Sequence, residues 1–251
     1  LLLKKGDSWN EDLGVWNLSG RSVTEPMLVS SYGVGARPRI RPAPGNHGIV
    51  VWDPHTPQFL ALVDLHLIPQ SFPTDGRGIA WYSDAGPLLV EGCLIENFDI
   101  AFLFQGGHDI TVRRNVAYNN DGQGAYVQNV TGFLFEENVV DRSGFPNPSY
   151  YKHALYIDNE GMSGVVIRKN IVTESSSNGI YLRPGGICED NLVARCAISI
   201  ELGGGDSWYA NPDGVVVEAR RNVILDGTDI DSNNVRGWGF HMENIASAII
   251  E

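Results

Sequence analysis

Asn178-Gly-Ile-Tyr-Leu-Arg-Pro-Gly-Gly-Ile-Cys-Glu-Asp-Asn191-Leu-Val193 is one unit of a pattern that recurs down this chain. An alternating strand runs into a Pro-Gly-Gly corner. A second apolar run follows, then an Asn and more apolar residues. The second half of the unit returns as Ile110-Thr-Val-Arg-Arg-Asn115-Val, Phe133-Leu-Phe-Glu-Glu-Asn138-Val-Val, Val165-Val-Ile-Arg-Lys-Asn170-Ile-Val and Val215-Val-Val-Glu-Ala-Arg-Arg-Asn222-Val-Ile-Leu. The asparagines at 115, 138, 170, 191 and 222 are 23, 32, 21 and 31 residues apart. Short strands repeating every 20–30 or so residues, with loops of variable length, mark a solenoid whose repeats bury their apolar faces on one another.

The first half of the unit aligns with Ala101-Phe-Leu-Phe-Gln105, Gly124-Ala-Tyr-Val-Gln128, Ala154-Leu-Tyr-Ile-Asp158, Ala197-Ile-Ser-Ile-Glu201 and Gly239-Phe-His-Met-Glu243. The first residue is Gly or Ala in each copy. The second and fourth are apolar, or small in the case of Ala125, and so point inward. The third and fifth point outward, because strand side chains alternate with period two. Two strand families per turn indicate a parallel coil rather than a sandwich. The recurrent Asn is read as an internal ladder, each amide bonding the next as stacked Asn do in other parallel arrays.

The bulk properties agree. The chain has 251 residues, 43% of them apolar, enough for one sizeable core. Gly is abundant and no long helical period occurs. Residues 1–58 read as opening strands and, over 41–58, a Pro-, Gly- and His-rich loop; regular rungs are expected from 59 to 251, all in a single domain. The net charge of −12 argues against nucleic acid or an anionic membrane as main partner. Cys93, Cys188 and Cys196 show no Cys-x-x-Cys spacing, and Cys188 falls at an inward position, so buried thiols rather than a zinc site are expected. No run is long enough to span a membrane. Leu1-Leu-Leu-Lys-Lys reads as a strand whose preceding residues were removed or belong to a longer chain, and a secreted, periplasmic or cell-surface location is the expectation.

The rung 178–191, with the opening Gly6-Asp-Ser-Trp9, Ser31-Tyr-Gly33 and Arg37-Pro-Arg-Ile40, resembles the right-handed parallel β-helix of pectate-lyase-like carbohydrate-active proteins. The resemblance covers about the whole chain and is similar in style to the alginate lyase and chondroitinase B group, although Arg183 is followed by Pro-Gly-Gly where that group carries His-Gly. It implies an all-β, single-stranded right-handed solenoid acting on a polysaccharide or oligosaccharide.

The outward columns supply candidate site residues. By this alignment the third position reads Leu103, Tyr126, Tyr156, Tyr181, Ser199, His241, and the fifth reads Gln105, Gln128, Asp158, Arg183, Glu201, Glu243. Rungs stack about 4.8 Å apart. One patch then gathers His153, Tyr156, Asp158, Arg183 and Glu201 as catalytic candidates, with Lys152, Tyr126, Tyr181, His241, Glu243, Trp208 and Tyr209 as candidates for holding sugar. Aromatic faces stack on sugar rings and polar groups bond hydroxyls. Two insertions, Phe145-Pro-Asn-Pro-Ser-Tyr-Tyr-Lys152 and Gly203-Gly-Gly-Asp-Ser-Trp-Tyr-Ala-Asn-Pro-Asp213, project near these columns and favour a cleft over a flat adhesive face.

Four readings compete. A lyase needs a cation for the uronate carboxylate, a base for the C5 proton and an acid for the leaving oxygen. Arg183, then His153 or Lys152, then Tyr156 or Tyr181 fit those roles. A glycoside hydrolase would pair Asp158 with Glu201, or Glu201 with Glu243, and a uronate epimerase is a further alternative. A non-catalytic glycan-binding or structural module is the fourth, and the bland alternative for Asp158, Arg183 and Glu201 is a surface ion-pair ladder. No metal ligand set is assigned. Calcium is a candidate cofactor only through Asp158-Asn-Glu160 and Asp226-Gly-Thr-Asp-Ile-Asp231. His66, within an apolar run, is read as structural.

Overall fold

The computed structural model describes residues 1–145, 147–158, 161–204, 211–229 and 236–251. The chain winds as a parallel coil. Among the described residues three sheets of ten, nine and eight strands run its length, and every strand pairs with the equivalent strand one turn away. The Asn-bearing runs form the first sheet, in strands such as Thr131–Glu136, Ser163–Arg168 and Gly186–Glu189. The residues after each Asn form a second sheet of short strands, including Val139–Asp141, Ile171–Thr173 and Leu192–Ala194. The third sheet carries the small-first strands, among them Ala125–Gln128, Leu155–Ile157, Asn178–Leu182, Ile198–Gly203 and Trp238–Glu243.

The two expected strand families are therefore three sheets. The extra corner lies just before each Asn. Arg114, Glu137, Lys169, Asp190 and Arg221 all take positive φ of 51–56°. A single left-handed non-glycine residue costs roughly 1–2 kcal/mol. At these five corners the asparagine that follows bonds from rung to rung; Arg142, Glu174 and Arg195 take the same φ without one. Asn138 Oδ1 accepts from the Asn115 backbone N–H (2.9 Å) and from Asn115 Nδ2 (3.0 Å), while Asn138 Nδ2 donates to Val112 O (2.9 Å). The same bonds link Asn138 to Asn170, Asn170 to Asn191 and Asn191 to Asn222. Asn115, Asn138, Asn170 and Asn191 are each 1% exposed, so these bonds answer polar groups that no solvent reaches.

Inside the coil, inward residues from the three sheets meet in one continuous core. Among its largest buried side chains are Phe98, Phe102, Phe104, Phe133 and Phe135, with Phe102 and Phe135 in edge contact at 6.1 Å. All three cysteines are buried, and burial pushes each thiol up to about 12.

The opening strands join the same sheets, and the loop expected over 41–58 is corrected. Leu2–Lys4 and Met27–Tyr32 already belong to the first sheet, and Ser8–Trp9 and Arg39–Ile40 to the second. The segment expected to be loop contains the strand Ile49–Trp52, paired with Arg77–Tyr82 of the third sheet. Its Pro and Gly neighbours obscured four residues, of which Ile49, Val50 and Val51 are buried. His66 is buried with Nε2 2.8 Å from Glu96 Oε1, a structural partner.

Candidate active site on the third sheet

The outward face of the third sheet stacks one residue column through consecutive strands. Leu103 pairs with Tyr126, Tyr126 with Tyr156 and Tyr156 with Tyr181. Tyr181 then pairs with Glu201, and Glu201 with His241. This corrects the sequence alignment, which put Ser199 in this column and Glu201 beside Arg183. The small inward-corner position of that rung is Ser199, opposite Gly179, rather than Ala197. A two-residue slip preserves which side chains face outward, so the alternation alone does not detect it. Since Leu182 pairs with Leu202, Arg183 comes opposite Gly203, and Gly203 opposite Glu243. Arg183 is thus not sandwiched between Asp158 and Glu201, and the three-membered ion-pair ladder does not form.

Arg183, only 5% exposed, reaches back one rung instead. Its Nη1 donates to Asp158 Oδ1 (3.0 Å) and, through a short contact, to the Tyr156 phenol oxygen. The guanidinium lies 5.6 Å from the Tyr156 ring centre and 5.7 Å from that of Tyr181. Tyr126 stacks on Tyr156 at 5.2 Å and donates to Gln128 Oε1 (2.5 Å) and Asp158 Oδ2 (3.3 Å). Asp158 is therefore a carboxylate committed to a guanidinium. That commitment holds Asp158 behind Arg183. It also competes with the calcium role offered by the 158–160 segment. Asn159 and Glu160 lie outside the described residues, as does Asp231 of the second candidate calcium segment.

His153 precedes the strand Leu155–Ile157 and packs against Tyr156 (5.0 Å) and Tyr181 (5.5 Å). The Asn178 backbone N–H donates to its Nδ1 (3.3 Å), which assigns the ring proton to Nε2. Burial lowers its pKa to about 3, and the positive charges of Arg236 and Arg183 act in the same direction. The candidate base is thus a neutral imidazole that presents an N–H. Lys152, the other candidate base, bonds Asp121 Oδ1 through Nζ (3.1 Å) and does not line the cleft. Trp208 and Tyr209 lie outside the described residues.

A cleft of about 380 Å³ opens over these columns. Its floor is Tyr156, Tyr181, Arg183, His153, Asn178 and Glu201. Its rim is Tyr150 and Tyr151 from the 145–152 insertion, with Arg236 and Glu243. Tyr150 and Tyr151 pack at 4.0 Å and their hydroxyls bond at 2.9 Å, while the Arg236 guanidinium lies 5.8 Å from the Tyr150 ring centre. Burial and the Glu201 charge hold the Tyr181 phenol well above its usual range, so that it stays protonated. Glu201 is 7% exposed; Asn178 Nδ2 donates to its Oε2 in a short contact, and its Oε1 lies 3.1 Å from His241 Nδ1. The structure therefore brings together His153, Tyr156, Tyr181, Arg183, Glu201, His241 and Glu243, and places Tyr126 and Asp158 behind Arg183. Sequence reasoning missed Tyr150, Tyr151 and Arg236 as lining residues. The two tyrosines lay within an insertion already expected near the cleft; Arg236 had no repeat position to point to it.

A family model described as the right-handed β-helix region matches residues 70–161. No curated protein sequence matched the chain. Among solved structures, an alginate lyase from Paenibacillus sp. str. FPU-7 superposes with a TM-score of 0.64 at 13% identity, covering 98% of this chain and 91% of that one. The Dettilon tailspike protein gives 0.56 at 14% identity, covering 99% of this chain and 52% of its own. At these identities the likeness is one of fold: this chain is a right-handed parallel β-helix.

Proposed function

We propose that this protein is a polysaccharide lyase that cleaves a uronate-containing chain by β-elimination. The observation that carries the reading is the Arg183 hydrogen bond to the Tyr156 phenol oxygen, on the floor of a cleft lined by tyrosines. A guanidinium donating to a phenol oxygen stabilises the phenolate, which makes Tyr156 the base in place of His153. Tyr156 takes the C5 proton of a bound uronate. The electron pair left at C5 forms the C4–C5 double bond as the C4–O4 bond breaks. The protonated Tyr181 phenol delivers its proton to the departing oxygen. Arg236 at the rim and the neutral Nε2–H of His153 are placed to meet the carboxylate on which charge builds. The fold shared with a protein described as an alginate lyase supports this class of substrate.

Hydrolysis is the second reading, favoured by one feature. A Cβ on Gly204 would lie 3.2 Å from both Glu201 Oε1 and Glu243 Oε2, so the two carboxylates border a common space. Incubation with alginate, pectate and glycosaminoglycan uronates separates the readings. Elimination yields chain ends absorbing in the ultraviolet through the new double bond. Reducing ends without that absorbance mean hydrolysis, inverted C5 centres without cleavage mean epimerisation, and retention of the polymer with no product means a binding module.

A further inference from the structure

We propose that Glu201, His241 and Glu243 bind a divalent first-row transition-metal ion at one end of the cleft. Each offers one donor atom, and the three atoms lie within 4.8 Å of one another. The placement follows from strand geometry. His241 and Glu243 are two apart on the strand Trp238–Glu243 and so share a face. Glu201 is the direct register partner of His241 on the neighbouring strand. Two hydrogen-bonded strands thus present three donors on a rigid frame.

Two further features point to a bound ion. Asn178 Nδ2 holds Glu201 Oε2, leaving Oε1 turned toward His241 Nδ1 at 3.1 Å. An outer amide that orients a carboxylate is the usual support of a ligating group. Gly204 is the second. A side chain starting there would meet Glu201 Oε1, Glu243 Oε2 and the Tyr181 hydroxyl, each 3.2 Å from its Cβ. Glycine puts no side-chain atom at the point on which oxygens from three strands converge. Two carboxylates bordering one space repel unless a positive charge sits with them. A dication answers both, taking the place of the contact between Nδ1 and Oε1.

The donor set selects the ion. Imidazole with two carboxylates suits zinc or manganese, whereas calcium takes oxygen donors alone. Three protein donors leave coordination positions open to the cleft for water or a sugar oxygen. The inference concerns ion binding and does not depend on elimination being the reaction.

The test is calorimetric titration of the whole chain, stripped with chelator, with zinc, manganese and calcium chlorides in separate runs. The expected result is saturable binding of a single zinc or manganese ion, with proton release visible as a dependence of the heat on buffer. Glu243→Gln and His241→Asn should each weaken it at least about tenfold, the scale seen when a supporting group is lost. His108→Asn, remote from the cleft, should not change it. Unaltered far-ultraviolet circular dichroism shows that the variants keep their fold. Absence of saturable zinc and manganese binding, binding indifferent to both variants, or a preference for calcium would each overturn the proposal. Product assays on uronate polymers run separately, so failure of the metal site and failure of the lyase reading are distinguishable.

Discussion

Arg183 donates one hydrogen bond to the phenol oxygen of Tyr156, from the neighbouring rung of the third sheet. This links the buried cation of the cleft to the tyrosine proposed as the base. Tyr156→Phe keeps the ring that stacks on Tyr126 and His153 and removes only the oxygen. We expect kcat on the responsive uronate polymer to fall roughly 10²- to 10⁴-fold, the range for loss of a general base, with KM little changed. Initial rates followed through the ultraviolet absorbance of the product measure both. A kcat near wild type would remove Tyr156 from the chemistry.

His153 titrates in the unfolded chain near its ordinary value of 6.5 and in the folded chain near 3. Between these values the unfolded state binds more protons, so stability present above pH 6.5 is lost as the pH falls toward 3. His153→Gln retains an acceptor for the Asn178 N–H and has no proton to gain. Thermal melts across this window should show a shallower acid decline for the variant than for the wild type. Parallel curves would mean that His153 is not held neutral by burial.

The asparagine series predicts a gradient of cost. Asn138 is flanked on both sides and fully enclosed, so Asn138→Ala strands the Asn115 N–H and the Val112 carbonyl. The expected loss is about 2–4 kcal/mol in urea unfolding, from buried polar groups left unanswered. Asn222 is half-buried at the last position of the series, where water can replace the lost bonds. Asn222→Ala should cost distinctly less. Equal losses would argue that the series contributes little beyond side-chain size.

Cys93, Cys188 and Cys196 are 1% exposed or less, with thiols pushed up to about 12 by burial. A thiolate-specific reagent at neutral pH should therefore label none of them in the native chain and all three in denaturant. Labelling of native protein at a rate independent of denaturant would contradict the enclosed core.

Much of this molecule was legible before folding was considered. The Asn spacing identified the coil, and period-two alternation sorted Cys188 inward and Tyr126, Tyr156 and Tyr181 outward. The corner before each Asn was not legible, because Arg114, Glu137 and Lys169 carry none of the glycine that usually signals a left-handed turn. Arg142, Glu174 and Arg195 take the same φ with no asparagine after them, so the turn of the coil imposes the conformation at more than one corner. The strand Ile49–Trp52 was hidden by the Pro and Gly residues that bracket it.

The candidate site divides along the same line. By itself, the sequence determined that Tyr156, Tyr181, Arg183, Glu201, His241 and Glu243 lie on one outward face, because alternation is a local property of each strand. Only the tertiary structure decided which of them touch. Register between rungs depends on how each loop returns the chain. A slip of two residues leaves every side chain facing the same way while moving Glu201 from the side of Arg183 to a place between Tyr181 and His241. The same physics governs His153 and Arg236. The proton balance of the first depends on burial and on charges brought from distant rungs. The second reaches the cleft rim from a segment with no place in the repeat alignment.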